Sequence, residues 1–157
     1  MIKALITTAP FAERNKLPIE LLENNDDIEV ENVATIIETE AQSKNKQPKY
    51  LNTACQIKTL LTPQELLDET AKIEKKLGRL SKNNYDPRTI DIDIIFYEDQ
   101  IIIENDLTIP HPLAHMRDFV IVPMNEMAQS FIHPVLQEPI YKIYDRIVKQ
   151  ENINIAA

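Results

Sequence analysis

Asp86-Pro87-Arg88-Thr89-Ile90-Asp91-Ile92-Asp93-Ile94-Ile95-Phe96-Tyr97 is the stretch whose reading decides the fold. A residue before proline is pushed towards extended backbone, so Asp86-Pro87 is a stiff entry into the residues after it. From Thr89 onward β-branched and aromatic residues dominate and the period is two, which predicts a strand. The alternation sets Ile90, Ile92 and Ile94 on one face and Thr89, Asp91 and Asp93 on the other. At a rise of ~3.3 Å per residue, the two carboxylate-bearing positions lie roughly 7 Å apart and point the same way. Two like charges on one strand face repel unless a cation sits between them, and a hard divalent ion, or a pair, would supply it. Arg88, just ahead of the strand, is placed to clamp the phosphates such ions bring. The plainer alternative is a solvent-facing strand whose wet side happens to carry Asp. The Asp-Pro-Arg lead and the apolar run after the aspartates count against it.

The chain around this stretch is acidic, with 25 Asp and Glu against 17 Lys and Arg and a net charge of −8. That argues against a nucleic-acid binder relying on bulk attraction to phosphate, and leaves room for an anionic substrate where basic residues gather locally. Its 157 residues, 43% hydrophobic and 27% charged, are expected to form one soluble globular domain, 1–157. The lone Cys55 offers neither a disulfide nor a thiolate cluster. Polar residues begin at Thr7, too early for a signal peptide, and no apolar run approaches ~18 residues, so a cytoplasmic, membrane-free protein is expected. There is one glycine, Gly78. Walker-type, kinase and dinucleotide loops each need more, so any nucleotide phosphates must be held by side chains and metal.

Read in order, Met1 to Thr8 is a short apolar strand of central type, ended by Thr7-Thr8-Ala9-Pro10. Leu17 to Glu23 is a helix, stopped by Asn24-Asn25-Asp26-Asp27. Ile28 to Glu38 is a long strand whose apolar phase changes, which a bulge near Glu31-Asn32 would explain. Thr39 to Lys49 has no periodicity and reads as an exposed loop or as a lid over substrate. In Tyr50 to Thr59 the period returns to two, with Leu51, Thr53, Cys55 and Ile57 on one face and Tyr50, Asn52, Ala54 and Gln56 on the other. A ring and an amide on one face could grip a flat heterocycle. Thr62-Pro63-Gln64-Glu65 opens a helix with a capping box, Leu66, Thr70, Ile73 and Leu77 form its buried stripe, and Gly78 suits its C-terminal cap. Lys72, Lys75 and Lys76 fall on the wet side. Beyond the Asp strand, Ile101 to Ile103 reads as a short edge strand. Phe119 to Met127, interrupted by Pro123, is open between helix and strand, and Ile140, Ile143 or Tyr144, and Ile147 fit a closing helix. The order β-α-β-β-α-β matches an α+β, ferredoxin-like sandwich with additional C-terminal strands and helices.

His111 and His115 stand four apart, a spacing that can place two metal ligands on one helix face, but no local thiol or carboxylate completes the set. The sharper reading takes His111 alone as a donor to phosphate, against a satisfied structural histidine. His133, before Pro134, reads as surface.

On these residues the chain resembles the 6-hydroxymethyl-7,8-dihydropterin pyrophosphokinases of folate synthesis. The Asp86 to Ile95 stretch carries the likeness, which extends through Tyr50-Leu51-Asn52, Thr62 to Leu67, Ile73-Glu74, Gly78-Arg79, Leu107 to His111 and Arg117-Asp118-Phe119. The resemblance implies a ferredoxin-like fold and transfer of the β,γ-diphosphate of ATP to the pterin hydroxymethyl oxygen, with release of AMP. It implies two Mg²⁺ ions on Asp91 and Asp93, with Arg79 and Arg88 completing the catalytic set. It implies an ATP site lined by Glu74, Arg79, Arg88, Thr108, His111 and Arg117, and a pterin site lined by Thr39, Tyr50, Asn52, Tyr85 and Phe119. Small-molecule substrates and a monomer are expected. Three departures stand out. The first strand of the family ends in Gly-Ser-Asn, where this chain has Thr7-Thr8-Ala9-Pro10. A Thr-Pro-Pro-x-Gly loop is replaced by Thr39-Glu40-Ala41-Gln42-Ser43, and two positions that are often basic read Asn84 and Asp106. There are two rivals: a divergent homologue with impaired turnover or another alcohol acceptor, and a ferredoxin-like interaction module. The second would need a basic, aromatic sheet face, whereas this one carries Asp.

Overall fold

The computed structural model describes residues 2–9, 16–35, 37–39, 50–77 and 91–156. Strand β1 (Ile2–Ala9) lies at the centre of an antiparallel sheet, with β4 (Tyr50–Thr59) on one side and β5 (Asp91–Tyr97) on the other. β2 (Ile28–Val33) and β3 (Ile37–Thr39) share the far edge of β4, and the order is β2-β4-β1-β5. Helix α1 (Lys16–Glu23) joins β1 to β2, and α2 (Pro63–Lys76) joins β4 to β5. Two interleaved βαβ units of this order make the ferredoxin-like sandwich expected from the pattern. The added elements are the ribbon β6 (Ile102–Ile103) and β7 (Thr108–Ile109), a short 3-10 helix (Ala114–Met116), α3 (Asp118–Ala128) and α4 (Ile140–Ala156).

Both faces of the sheet are covered. On one, Leu22 of α1 and Leu66 and Ile73 of α2 pack with Ala4, Cys55, Ile57, Ile92 and Ile94. On the other, Val120, Ile121 and Met124 of α3 and Ile140 and Ile143 of α4 pack with Leu5, Ala54 and Phe96. The period-two reading of β4 and β5 therefore holds: Cys55 and Ile57 face one layer and Ala54 the other. β5 alternates through Ile94 and then carries one extra residue, because Ile6 pairs with Ile94 and Leu5 with Phe96. That bulge at Ile95 resets the phase and sends Tyr97 under the α1–α2 layer, where its hydroxyl donates to the Leu61 carbonyl at 2.5 Å.

The predicted bulge in the second strand is present, between Val30 and Asn32. The long strand is nonetheless broken, for Ala34 and Thr35 leave the ladder before β3 resumes it. α2 has the predicted capping box, with the Thr62 hydroxyl accepting from the Glu65 N–H at 3.2 Å and the Glu65 carboxylate accepting from the Thr62 N–H at 3.0 Å. Leu66, Thr70 and Ile73 are buried as expected, and Lys72, Lys75 and Lys76 are exposed on the outer side of the helix. Gly78 lies outside the described residues. The open question over residues 119–127 resolves to helix, with Pro123 inside α3. No described helix is long and apolar enough to cross a membrane.

One histidine departs from its surface reading. His133 is 3% exposed, packed against Phe96 with ring centroids 5.4 Å apart and against His115 at 6.1 Å. Its Nδ1 accepts from the N–H groups of Val135 and Leu136, so in the neutral ring the proton sits on Nε2, which has no partner among the described atoms. Burial, and then the nearby His115, depress its pKa below the ordinary 6.5.

These contacts set two expectations for stability. Thr62→Ala, measured by denaturant unfolding, should cost about 1 kcal/mol because the Glu65 N–H loses the hydroxyl that accepts it at the start of α2. The depressed pKa of His133 means the unfolded chain binds the proton first. Its contribution is therefore complete above pH 6.5 and is lost as pH falls from there through the folded-state value. His133→Asn, which keeps an acceptor for the two N–H groups, should flatten the acid limb of the stability curve; an unchanged slope would show that this ring does not titrate with unfolding.

Candidate active site

Asp91 and Asp93 stand where the alternation of β5 puts them. Their neighbours Ile92 and Ile94 are buried in the α1–α2 core, so both carboxylates lie on the α3 side of the sheet. Asp91 is exposed at the start of the strand, opposite Ala9, and Asp93 is half-buried, opposite Thr7. With the pleat fixed, their separation is roughly 7 Å.

Among the described residues β5 is an edge strand, and its outer edge is tied to residues of the site rather than to another strand. The Ile92 N–H, between the two aspartates, donates to Glu74 Oε2 of α2 at 3.4 Å. The carbonyl of Ile95, the bulged residue, accepts the His111 N–H at 3.0 Å. His111 comes after β7 and the cis Ile109–Pro110 bond, with Thr108 exposed on β7 opposite Ile103. Its ring is half-buried, and Nδ1 accepts the Leu113 N–H at 3.2 Å, which leaves Nε2 as the donor of the neutral imidazole. Burial lowers the His111 pKa, the Asp93 charge opposes that, and Arg117 adds to it. Asp93 and Arg117 are thus each within electrostatic reach of the His111 ring.

Arg117 caps the 3-10 helix and leads into α3; its carbonyl accepts from the N–H groups of Val120 and Ile121. Its guanidinium lies 5.6 Å from the ring centroid of Phe119, a cation–π distance. Phe119, in the first turn of α3, is half-buried against the α3–α4 core. Across the sheet, Asn52 is 5% exposed on the Ala54 face of β4, the same face as the aspartates. Its backbone is opposite Ile37, and Tyr50 is opposite Thr39, so β3 and β4 bring these positions to one end of the sheet.

The structure thus brings together Asp91, Asp93, Glu74, His111, Arg117 and Phe119, and places Asn52, Tyr50 and Thr39 on the β3–β4 pair, across β1 from the aspartates. Arg79, Tyr85 and Arg88, the loop 40–49 and Asn84 lie outside the described residues. Asp106, the other position without the expected positive charge, accepts from the Gln64 amide at 3.1 Å at the exposed start of α2. Sequence reasoning did not single out Glu126. Its partner Thr35 is 91 residues away, and no local pattern announces such a contact.

A pair of carboxylates, with an imidazole donor and a guanidinium beside it and an aromatic wall nearby, is the kind of site that can hold a metal–polyphosphate against a second, flat substrate. The comparisons make the class specific. The family model described as 7,8-dihydro-6-hydroxymethylpterin-pyrophosphokinase (HPPK) matches residues 12–129. The 2-amino-4-hydroxy-6-hydroxymethyldihydropteridine pyrophosphokinase of Aquifex aeolicus (strain VF5) is 39% identical over 113 residues, 72% of this chain and 71% of the relative. The Folic acid synthesis protein FOL1 of Dictyostelium discoideum is 41% identical over 107 residues, 68% of this chain but only 16% of that longer protein. In structure, wild-type Plasmodium falciparum HPPK-DHPS crystallised with pteroate superposes with a TM-score of 0.79 at 16% identity. That match covers 99% of this chain and 44% of the other, and it shows the shared fold. The chain belongs to the 7,8-dihydro-6-hydroxymethylpterin-pyrophosphokinase family.

The electrostatic link between Asp93 and His111 is open to direct test. Asp93→Asn removes the charge that favours the imidazolium, so the His111 titration midpoint should move further down, while Arg117→Ala should move it up. NMR titration of the metal-free protein reads both; shifts of the opposite sign would separate these groups.

Proposed function

We propose that this chain is an ATP-dependent pyrophosphokinase of folate synthesis that transfers the β,γ-diphosphate of ATP to the hydroxymethyl oxygen of 6-hydroxymethyl-7,8-dihydropterin. The observation that carries this reading is the pair Asp91 and Asp93 on the same sheet face as Asn52, with Phe119 at the start of the helix covering that face. In the reaction the hydroxymethyl oxygen forms a bond to the β-phosphorus. The bond from that phosphorus to the oxygen bridging to the α-phosphate breaks, and its electron pair leaves with AMP. The hydroxyl proton is released as the new bond forms.

The donor set suits Mg²⁺. Asp91 and Asp93 are hard oxygen ligands, and among the described residues no cluster of three or more His, Cys, Asp or Glu could hold a metal ion. Two carboxylates leave coordination positions for phosphate oxygens and water, which is how Mg²⁺ is held in phosphoryl-transfer sites. Two such ions, when bound, supply positive charge against the phosphate oxygens on which charge builds. The protein's own part is positioning. His111 donates from Nε2 to a phosphate oxygen, and Arg117 adds a fixed positive charge while its guanidinium steadies the Phe119 ring. Glu74 holds the backbone between the two aspartates. Thr108, Arg79 and Arg88 complete the ATP side on the strength of the family likeness. On the pterin side the Asn52 amide reads the edge of the ring and Phe119 stacks on its face. Thr39, Tyr50 and Tyr85 complete that side on the family likeness.

AMP release from ATP and Mg²⁺, with and without 6-hydroxymethyl-7,8-dihydropterin, tests the reading. AMP should form only when the pterin is present. Asp91→Ala or Asp93→Ala should lower kcat by about three orders of magnitude with the fold intact by circular dichroism. Near-normal turnover in either variant would remove the carboxylates from the chemistry, and AMP without pterin would point to another acceptor.

A further inference from the structure

Glu126 lies two turns beyond Phe119 on α3, and its carboxylate reaches across to the sheet edge. Both oxygens accept the Thr35 N–H, Oε1 at 3.2 Å and Oε2 at 3.0 Å, and Oε1 also accepts from the Thr35 hydroxyl at 2.8 Å. Thr35 sits in the break between β2 and β3. Between the pairs Val33–Cys55 and Ile37–Asn52 the outer edge contains one residue more than β4, so the ladder cannot run through. β4 holds the first residue of the break: the Ala34 N–H donates to the Ala54 carbonyl at 2.9 Å, and the Thr53 hydroxyl donates to the Ala34 carbonyl at 3.1 Å. The second residue, Thr35, finds its acceptor in α3. β3 begins two residues later and runs to Thr39.

The same helix therefore carries the Phe119 ring at one end and this tie at the other. Pro123 lies between them, and a proline has no N–H to give to the carbonyl four residues before it, here Phe119. The first turn of α3 is held less firmly by its own helix, and contacts to the sheet carry more of its placement. We propose that Glu126 is a positioning residue for the pterin: its carboxylate fixes the gap between Phe119 and the β3–β4 strand pair that carries Asn52. The inference rests on the pyrophosphokinase reading, and it adds a residue that touches neither substrate.

The test is steady-state kinetics of Glu126→Ala, Glu126→Gln and Thr35→Val with each substrate varied in turn. Glu126→Ala should raise the pterin KM about tenfold, the loss of charge-assisted hydrogen bonds acting on placement, while kcat at saturating pterin and the ATP KM stay within about twofold. Glu126→Gln keeps an acceptor oxygen and should stay within about threefold of wild type. The Glu126→Ala/Thr35→Val double variant should be no worse than Glu126→Ala. An unchanged pterin KM in Glu126→Ala, from a wild type that makes AMP only with pterin, overturns the positioning role alone. A parallel loss in kcat and both KM values with a lowered Tm also overturns it, because that is what a purely structural tie does. Should Glu126→Ala not fold, Thr35→Val, which leaves the two backbone contacts in place, decides by the same split between pterin KM and ATP KM. A wild type without pterin-dependent AMP release overturns the functional reading and this inference with it.

Discussion

The outer edge of β5 is the constraint on which the arrangement depends. An edge strand presents N–H and C=O groups that no neighbouring strand takes, and such an edge must be covered or it pairs with something else. Here the N–H of Ile92 goes to Glu74 and the carbonyl of Ile95 takes the N–H of His111. Those contacts bring α2 and the segment after β7 up to the strand that carries the aspartates. Satisfying the backbone and assembling the site are the same act. The bulge at Ile95 makes it possible, because it lets Tyr97 turn into the α1–α2 core while the beginning of the strand keeps its carboxylates on the opposite side.

Charge sets the second constraint. The chain carries −8 overall, and among the described residues Arg117 is the cation that acts on His111, while burial favours the neutral form of that ring. A polyphosphate approaching two aspartates under such a field is repelled unless divalent ions come with it. The absence of glycine-rich loops leads to the same place, since backbone cradles for phosphate are not available in a chain whose one glycine is Gly78. Family membership, acidic composition and the carboxylate pair are mutually consistent with the proposed use of divalent ions to hold the polyphosphate.

Much of this was legible in the sequence because it is local. The parity of β5, the two faces of β4, the bulge near Glu31 and the capping box at Thr62 are each written within a few residues. The illegible parts depend on partners far along the chain. Pro123 and the β-branched run around it left residues 119–127 open between helix and strand, and packing of Val120, Ile121 and Met124 against the sheet decides for helix. His133 beside Pro134 looked exposed, and it is buried with Phe96 and His115, brought in by the fold, against its ring. The predicted long strand from Ile28 failed at Ala34 for the same reason. Its interruption is held by Thr53, Ala54 and Glu126, none of which a sequence window would connect to it.

The end of β1 shows why an altered motif need not disturb the carboxylate pair. Where the family resemblance expects Gly-Ser-Asn, Thr7, Thr8 and Ala9 stay in the ladder, opposite Asp93, Ile92 and Asp91. Extended, paired backbone is open to any residue but proline, so this part of the strand has no need of glycine's freedom. The family model begins to match at residue 12, after this strand, yet superposition on a solved relative covers 99% of the chain. Sequence likeness and backbone placement have come apart here. The register that positions the two carboxylates is set by β1 pairing with β4 and β5 along its length, not by the identity of its last three residues. The change in that motif therefore leaves the register of the two carboxylates intact.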